Sequence, residues 1–196
     1  MARMLDAAEQ LLQTGGPHTL TVDAVIALAG TSTGSFYARF GNREGLFAAM
    51  HERFLSGFGS EVAAVLANAA EQSTLQRTIE HFIHGVFTTV RKHRGALAFH
   101  VLHNAHHPVM RSQGNELTQL MSAALHHTIE HHHNEPRPVD NATLSTISRM
   151  VFAMTLELML FDDHEVTGFE LAPQHLAHKC TTMAMALLTT QELHAV

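Results

Sequence analysis

The chain has 196 residues, 45% of them hydrophobic, and a formal net charge of −6. That supplies apolar surface for a sizeable core and length for a small domain beside a larger one, while the acidic balance argues against a general nucleic-acid coat. No apolar run approaches the roughly 18 residues of a spanning helix, the N-terminus lacks a secretory pattern, and the lone Cys180 rules out an intrachain disulfide, so a cytoplasmic protein without a membrane partner is expected.

Every segment reads as helix. Residues Arg3–Gln13 place Leu5, Ala8 and Leu12 on one side, with Met4 and Leu11 beside them, and Gly15-Gly16-Pro17 stops the run. Thr21 is an N-cap for Val22–Ala29, where Val22, Val25, Ile26 and Ala29 form an apolar stripe and Asp23 suits the helix dipole. Gly30 falls where the chain must leave that helix through a left-handed residue. Ser32 then caps Thr33–Phe40, with Phe36 and Phe40 directed inward and Thr33, Gly34, Ser35, Tyr37 and Arg39 left outside. Leu46 closes this three-helix unit. Gly30–Arg43 contains no acid, and carries Arg39 and Arg43. A plain three-helix bundle explains the stripes equally well, but not a polar face of hydroxyls, a glycine, a tyrosine and arginines. That face points to a helix-turn-helix that enters a phosphate-lined groove.

The run AGTSTGSFYARFGNREGLF, with LDAAEQLLQTGGPHTLTVDAV upstream, resembles the tetracycline-repressor (TetR) family of bacterial transcription regulators. Ala29, Gly30, Ser32, Gly34, Tyr37, Phe40, Glu44 and Leu46 match its pattern, while Ser35 stands for the family's Thr, Arg39 for its His and Arg43 for its Lys. The motif covers about the first quarter of the chain; the rest is similar only in length and helical character. The resemblance implies a homodimer on a palindromic double-stranded DNA operator, a small-molecule effector held in a cavity, and repression as the default. In this scheme Thr21, Tyr37, Arg39 and Arg43, with N–H groups at helix starts, grip phosphates. Thr33, Gly34 and Ser35 face base edges. Only Met1-Ala2-Arg3 precedes the first helix, so the basic arm common in such proteins is missing and a shallow salt dependence is expected.

Asn42 caps a further helix beginning at Arg43, with Leu46, Phe47, Met50 and Phe54, and Gly57 and Gly59 suggest a kink or an end. Ser73 opens the next helix, to about His93, with Ile79, Phe82, Ile83, Val86, Phe87 and Val90 inward and Gly95 as its stop. Arg91, Lys92 and Arg94 there read as a helix terminus rather than a second DNA patch. Helices over about Ala96–His106 and Pro108–His133 follow, the second with Leu117, Leu120, Met121, Ala124, Leu125 and Ile129 on its apolar side; NEPRP is a loop. Asp140–Phe161 is apolar nearly all round, Asp162 to Gly168 is a loop, and Pro173–Thr190 closes the chain. The expected fold is all-α with about nine helices: a helix-turn-helix domain over 1–48, and a ligand-binding and dimerisation bundle over 49–196.

The last two helices suggest a four-helix dimer interface, with Met154, Leu158, Leu176, Cys180, Met183 and Leu187 as its candidates. An adaptable pocket wall is available from Phe82, Phe87, Phe99, Leu102, His103, Met121, Leu125, Phe152 and Met154. An ordinary core uses the same residue types.

Histidine is overrepresented, with 18 residues, many in the clusters His100, His103, His106, His107 and His126, His127, His131, His132, His133. His103/His107 and His127/His131 have the one-turn spacing that chelates zinc, copper or nickel, which makes a metal-sensing or metal-buffering helical protein the alternative function. No cysteine accompanies them, so a solvated or pocket-lining histidine surface is favoured, and neither a bound metal nor another cofactor is expected. These residues also open the way to a pH response. Cys180 beside His175 or His178 lies on an apolar face, where thiols are inert. With no phosphate-binding glycine loop, Gly-x-Ser-x-Gly or His-Glu-x-x-His, no enzyme is expected.

Overall fold

A computed structural model describes residues 2–104, 107–132 and 138–194. His106, His133 and most of the NEPRP loop lie outside the described residues. Among those described there are ten α-helices and one 3-10 turn, with no strand. The chain divides into two compact units, Met1–Phe58 with Gly95–Gly114, and Gly59–Arg94 with Asn115–Val196.

The first unit holds α1 (Ala2–Gly15), the 3-10 turn (Pro17–Thr19), α2 (Val22–Ala29), α3 (Thr33–Phe40), the start of α4 (Arg43–Ala70) and α6 (Arg94–Asn104) up to the unit's other limits. The Thr19 hydroxyl lies 2.9 Å from the Leu11 carbonyl and 2.8 Å from that of Gly16, holding the turn closed. Thr21 accepts from the Ala24 N–H (3.2 Å) and caps α2, as its sequence position predicts. Gly30 adopts φ 58, ψ 48, and the Thr31 N–H reaches back to the Ile26 carbonyl; a Cβ there would be strained by the backbone alone. The core is Leu5, Ala8, Leu12, Leu20, Val25, Phe36, Leu46, Phe47, Met50 and Phe99. Phe36 has no exposed surface, and deleting a ring so placed costs about 3–5 kcal/mol. At the α3–α4 link, a Cβ on Gly45 would lie 1.9 Å from the Phe40 carbonyl oxygen, so α4 begins hard against the end of the preceding helix. Asn42 caps it by accepting the Gly45 N–H at 2.9 Å.

Several boundaries differ from the sequence reading. Gly57 and Gly59 neither end nor break α4, which continues to Ala70; the intact turns on both sides carry them through. Thr74, not Ser73, caps α5 (Leu75–Lys92), accepting the Arg77 N–H, and Gly95 is inside α6 rather than closing α5.

In the second unit α5 packs against α8 (Asn141–Leu160) and α10 (Pro173–His194), which also pack on each other. Its inward stripe, Ile79, Phe82, Ile83, Val86, Phe87 and Val90, is buried as the spacing predicts. The unit also contains most of α7 (Pro108–Glu130). Helix α9 (Asp163–Thr167) occupies a stretch that the sequence suggested was loop: Asp162 and Glu165 form a capping box, and Gly168 ends it at φ 75. By length and composition α8 has a window that could cross a membrane (mean hydropathy 1.2). Arg149 and Glu157 interrupt it, and one side of it packs on α5 and α10, burying Leu144, Ile147, Val151 and Leu158.

Candidate nucleic-acid interface

The helix-turn-helix is α2 and α3, which pack on each other while α2 also packs on α1. Phe36 anchors α3 from beneath, in ring contact with Phe40 (5.2 Å) and with Tyr37 (5.5 Å, edge-on). Thr33, Gly34, Ser35, Tyr37 and Arg39 are all exposed, as the spacing predicts. Ser32 accepts from the Ser35 N–H at 3.1 Å, and the two hydroxyls lie 2.9 Å apart. The Ser35 hydroxyl is thereby paired with the Ser32 hydroxyl. A Cβ on Gly34 would meet only Ser32 Oγ, at 4.0 Å. Nothing in the protein's own packing requires a glycine there, although a helical glycine costs about 1 kcal/mol relative to alanine.

Two cations and two helix starts provide the electrostatics. Arg39 is exposed in the last turn of α3. Arg43 is more constrained than the sequence suggests: Nε donates to the Leu20 carbonyl at 3.0 Å, and the guanidinium lies 4.8 Å from the centre of the Phe47 ring. Thr21 is exposed at the start of α2, where unpaired N–H groups favour an anion, and Asp23 in the same turn opposes that effect.

Residues 4–50 match the model of the family described as bacterial regulatory proteins, tetR family. The N-terminal domain belongs to the TetR family. Transcription regulation through DNA binding is the function of such domains. The whole chain shares its fold with TetR-type proteins of known structure. One, assigned to the TetR family, from Mesorhizobium loti, superposes with a TM-score of 0.73 at 12% identity over 96% of this chain and 95% of that one. A TetR-like regulator from Rhodococcus gives 0.58 at 21% identity, over 96% and 94%. FadR from Bacillus subtilis, solved with stearoyl-CoA, gives 0.62 at 15% identity, over 93% and 96%. No curated protein matches the chain in sequence.

The other predicted residues fall in both units. Phe99, Leu102 and His103 belong to the first unit, whereas Phe82, Phe87, Met121, Leu125, Phe152 and Met154 belong to the second. Phe82, Phe87, Phe99 and Leu125 are core, while Leu102 and Phe152 are 60% and 46% exposed. A cavity of about 730 Å³ in the second unit is lined by Arg91, Arg94, Leu158, Phe161, Asp162, His164, Glu170, Leu171, Ala172 and His175. Arg94 pairs with Asp162 and donates to the Met159 carbonyl, and Lys92 pairs with Glu61, so these cations fasten helix ends, as their position predicts. Of the candidate interface residues, Leu158 and Cys180 are buried within their own chain, Met154 and Leu176 are half-buried, and Met183 and Leu187 are exposed. Burial raises the Cys180 thiol above its ordinary pKa.

Several histidines have side-chain partners. His126 contacts Ser148 (2.8 Å), His132 contacts Thr78 (3.0 Å) and His178 contacts Glu80 (3.0 Å). The His127 and His131 rings stand 4.5 Å apart. His103 and His107 are not on one helix: α6 ends at Asn104 and His107 precedes α7, yet their rings lie 4.9 Å apart. His100 is buried against Phe54 (4.7 Å) and Phe99 (5.1 Å). Burial, then the neighbouring His51 and His103, pushes its pKa down to about 3. His51 is likewise lowered by burial, against a bond between Nε2 and the Met110 carbonyl (3.1 Å) that raises it.

Proposed function

We propose that the chain is a ligand-responsive repressor which binds a palindromic operator as a homodimer, with α3 in the major groove. The observation that carries this reading is the outer face of α3, where small and hydroxyl-bearing residues surround a glycine that the fold does not need. Thr33, Gly34 and Ser35 meet base edges, while Thr21, Tyr37, Arg39 and Arg43 position the domain on phosphates. Residues 1–48 form the DNA-binding domain, and 49–196 bind effector and make the dimer.

Exposed Phe152, Met183 and Leu187 on α8 and α10 support a pairing of these helices with their copies across a two-fold axis. That face replaces the interior Leu158 and Cys180 as the contact, with Met154 and Leu176 at its edge. Two α3 helices then reach successive turns of the groove, about 34–36 Å apart. A small, mostly apolar effector in the second unit favours a spacing that no longer fits the operator. FadR, holding stearoyl-CoA, supports such a role for this fold.

Selection of bound duplexes from a random pool tests the reading. A two-fold symmetric site with half-sites one helical turn or a multiple apart is expected. Enrichment of an asymmetric site, or of none, overturns it.

A further inference from the structure

Glu44, His103 and His107 come from three separate places in the chain: the first turn of α4, the last turn of α6, and the residue before α7. All three belong to the first unit. One atom of Glu44, Oε2, lies 3.5 Å from His103 Nε2 and 3.4 Å from His107 Nε2. The three donor atoms are all within 4.8 Å of one another. The two Glu44–histidine separations are too long for charge-assisted hydrogen bonds, which run at about 2.7–2.9 Å. They are close to the spacing of ligand atoms around a tetrahedral ion, roughly 3.3 Å for bonds of about 2.0–2.1 Å.

His103 supplies a second, independent sign. Its Nε2 is buried and has no hydrogen-bond partner. A buried polar atom left unsatisfied costs about 1–3 kcal/mol. The ring cannot easily turn away, because Phe99 stacks on it (5.4 Å, 8° between planes) and Phe47 meets it edge-on at 4.7 Å. A fixed imidazole therefore aims an unused nitrogen at a carboxylate oxygen that a second imidazole shares.

We propose that Glu44, His103 and His107 bind one first-row divalent cation of the zinc class, with a fourth position open to water. Two imidazoles and a carboxylate suit zinc, nickel or cobalt, whereas calcium and magnesium prefer oxygen donors alone. His103, His107 and Glu44 retain 26%, 37% and 53% of their side-chain exposure, which leaves an entry path. Glu44 follows Arg43 and lies four residues beyond the end of α3, so the ion ties the exit of that helix to α6 and to the start of α7. Its regulatory meaning rests on the DNA-reading function above; its existence does not.

The test uses Co2+ as the probe on the full, untagged chain after chelator treatment. A visible absorption band saturating at one equivalent and displaced by Zn2+ is expected. Glu44→Gln and the exposed His107→Ala should each lower Co2+ affinity more than tenfold, a loss at least as large as those from altered outer-shell partners of metal sites, with unchanged helical circular dichroism. The double variant His127→Ala/His131→Ala should retain the band. No band, a band indifferent to Glu44→Gln and His107→Ala, or a band abolished by the His127/His131 changes overturns the site. Duplex binding is measured separately on the metal-free chain, so failure of the DNA reading and failure of the metal site give different results.

Discussion

Acidification should weaken the first unit through one identifiable ring. His100 is held against Phe54 and Phe99, beside His51 and His103, and its folded pKa is about 3 against an ordinary 6.5. The folded value is the lower one, so the unfolded chain takes up the proton first. The stabilisation is complete above the unfolded pKa and declines as pH falls from 6.5 toward 3. Between pH about 7.5 and about 5.5, linkage makes His100 alone worth about 1.4 kcal/mol, a tenfold change in the unfolding equilibrium. His51, also lowered by burial, acts in the same direction. The variant His100→Phe keeps a ring in the aromatic cluster and removes the titration. Urea unfolding at the two pH values measures the difference, and the probe is already present: Tyr37 is the single tyrosine and the chain has no tryptophan, so intrinsic fluorescence reports α3. Wild type should lose about 1.4 kcal/mol more than His100→Phe on acidification. Equal losses in the two proteins would show that the ring is not held neutral by its surroundings, and refute the reasoning.

Gly34→Ala should raise the thermal stability of the chain, by up to about 1 kcal/mol, while lowering operator affinity in a gel-shift titration; a variant that is both more stable and binds normally contradicts the close approach of α3 to bases. Tyr37→Ala should weaken all duplexes by similar factors, whereas changes at Ser35 should alter which bases are selected; intact binding by Tyr37→Ala rules out the docking scheme. Cys180 should resist a soluble thiol reagent in the native chain and react only on unfolding, because it is fully buried with a raised pKa; fast labelling of folded protein would show the α10 packing to be wrong.

The reader was legible because its determinants are local. Thr21, Gly30 and Ser32 each act on neighbours within a few residues, and Phe36 and Phe40 are one turn apart. The Asp162–Glu165 box and Gly168 carry the same kind of signal for α9, but a helix of only five residues has too few turns to show an apolar period. What periodicity could not resolve was direction on helices that are apolar on several sides. On α10 the heptad-like spacing of Leu176, Cys180, Met183 and Leu187 looks like one face, yet Cys180 is buried and Met183 is 47% exposed. Which apolar residue faces inward there depends on where α5 and α8 lie, and that is set by tertiary packing. Glu44 could not be joined to His103 and His107 for the same reason: 58 residues of chain lie between it and the first of them.

Arg43 is already held by the Leu20 carbonyl and the Phe47 ring, so in the proposed docking it would meet DNA preset. A free arginine gives up about 0.5–1.5 kcal/mol of rotamer freedom when it is immobilised at an interface; here that loss occurs during folding. A guanidinium parked in this way serves as a registration mark rather than an elastic tether. In the proposed docking it would reward a phosphate at one height along the groove and give nothing to a duplex shifted by a base pair, so its removal should shorten residence on the operator more than it slows arrival.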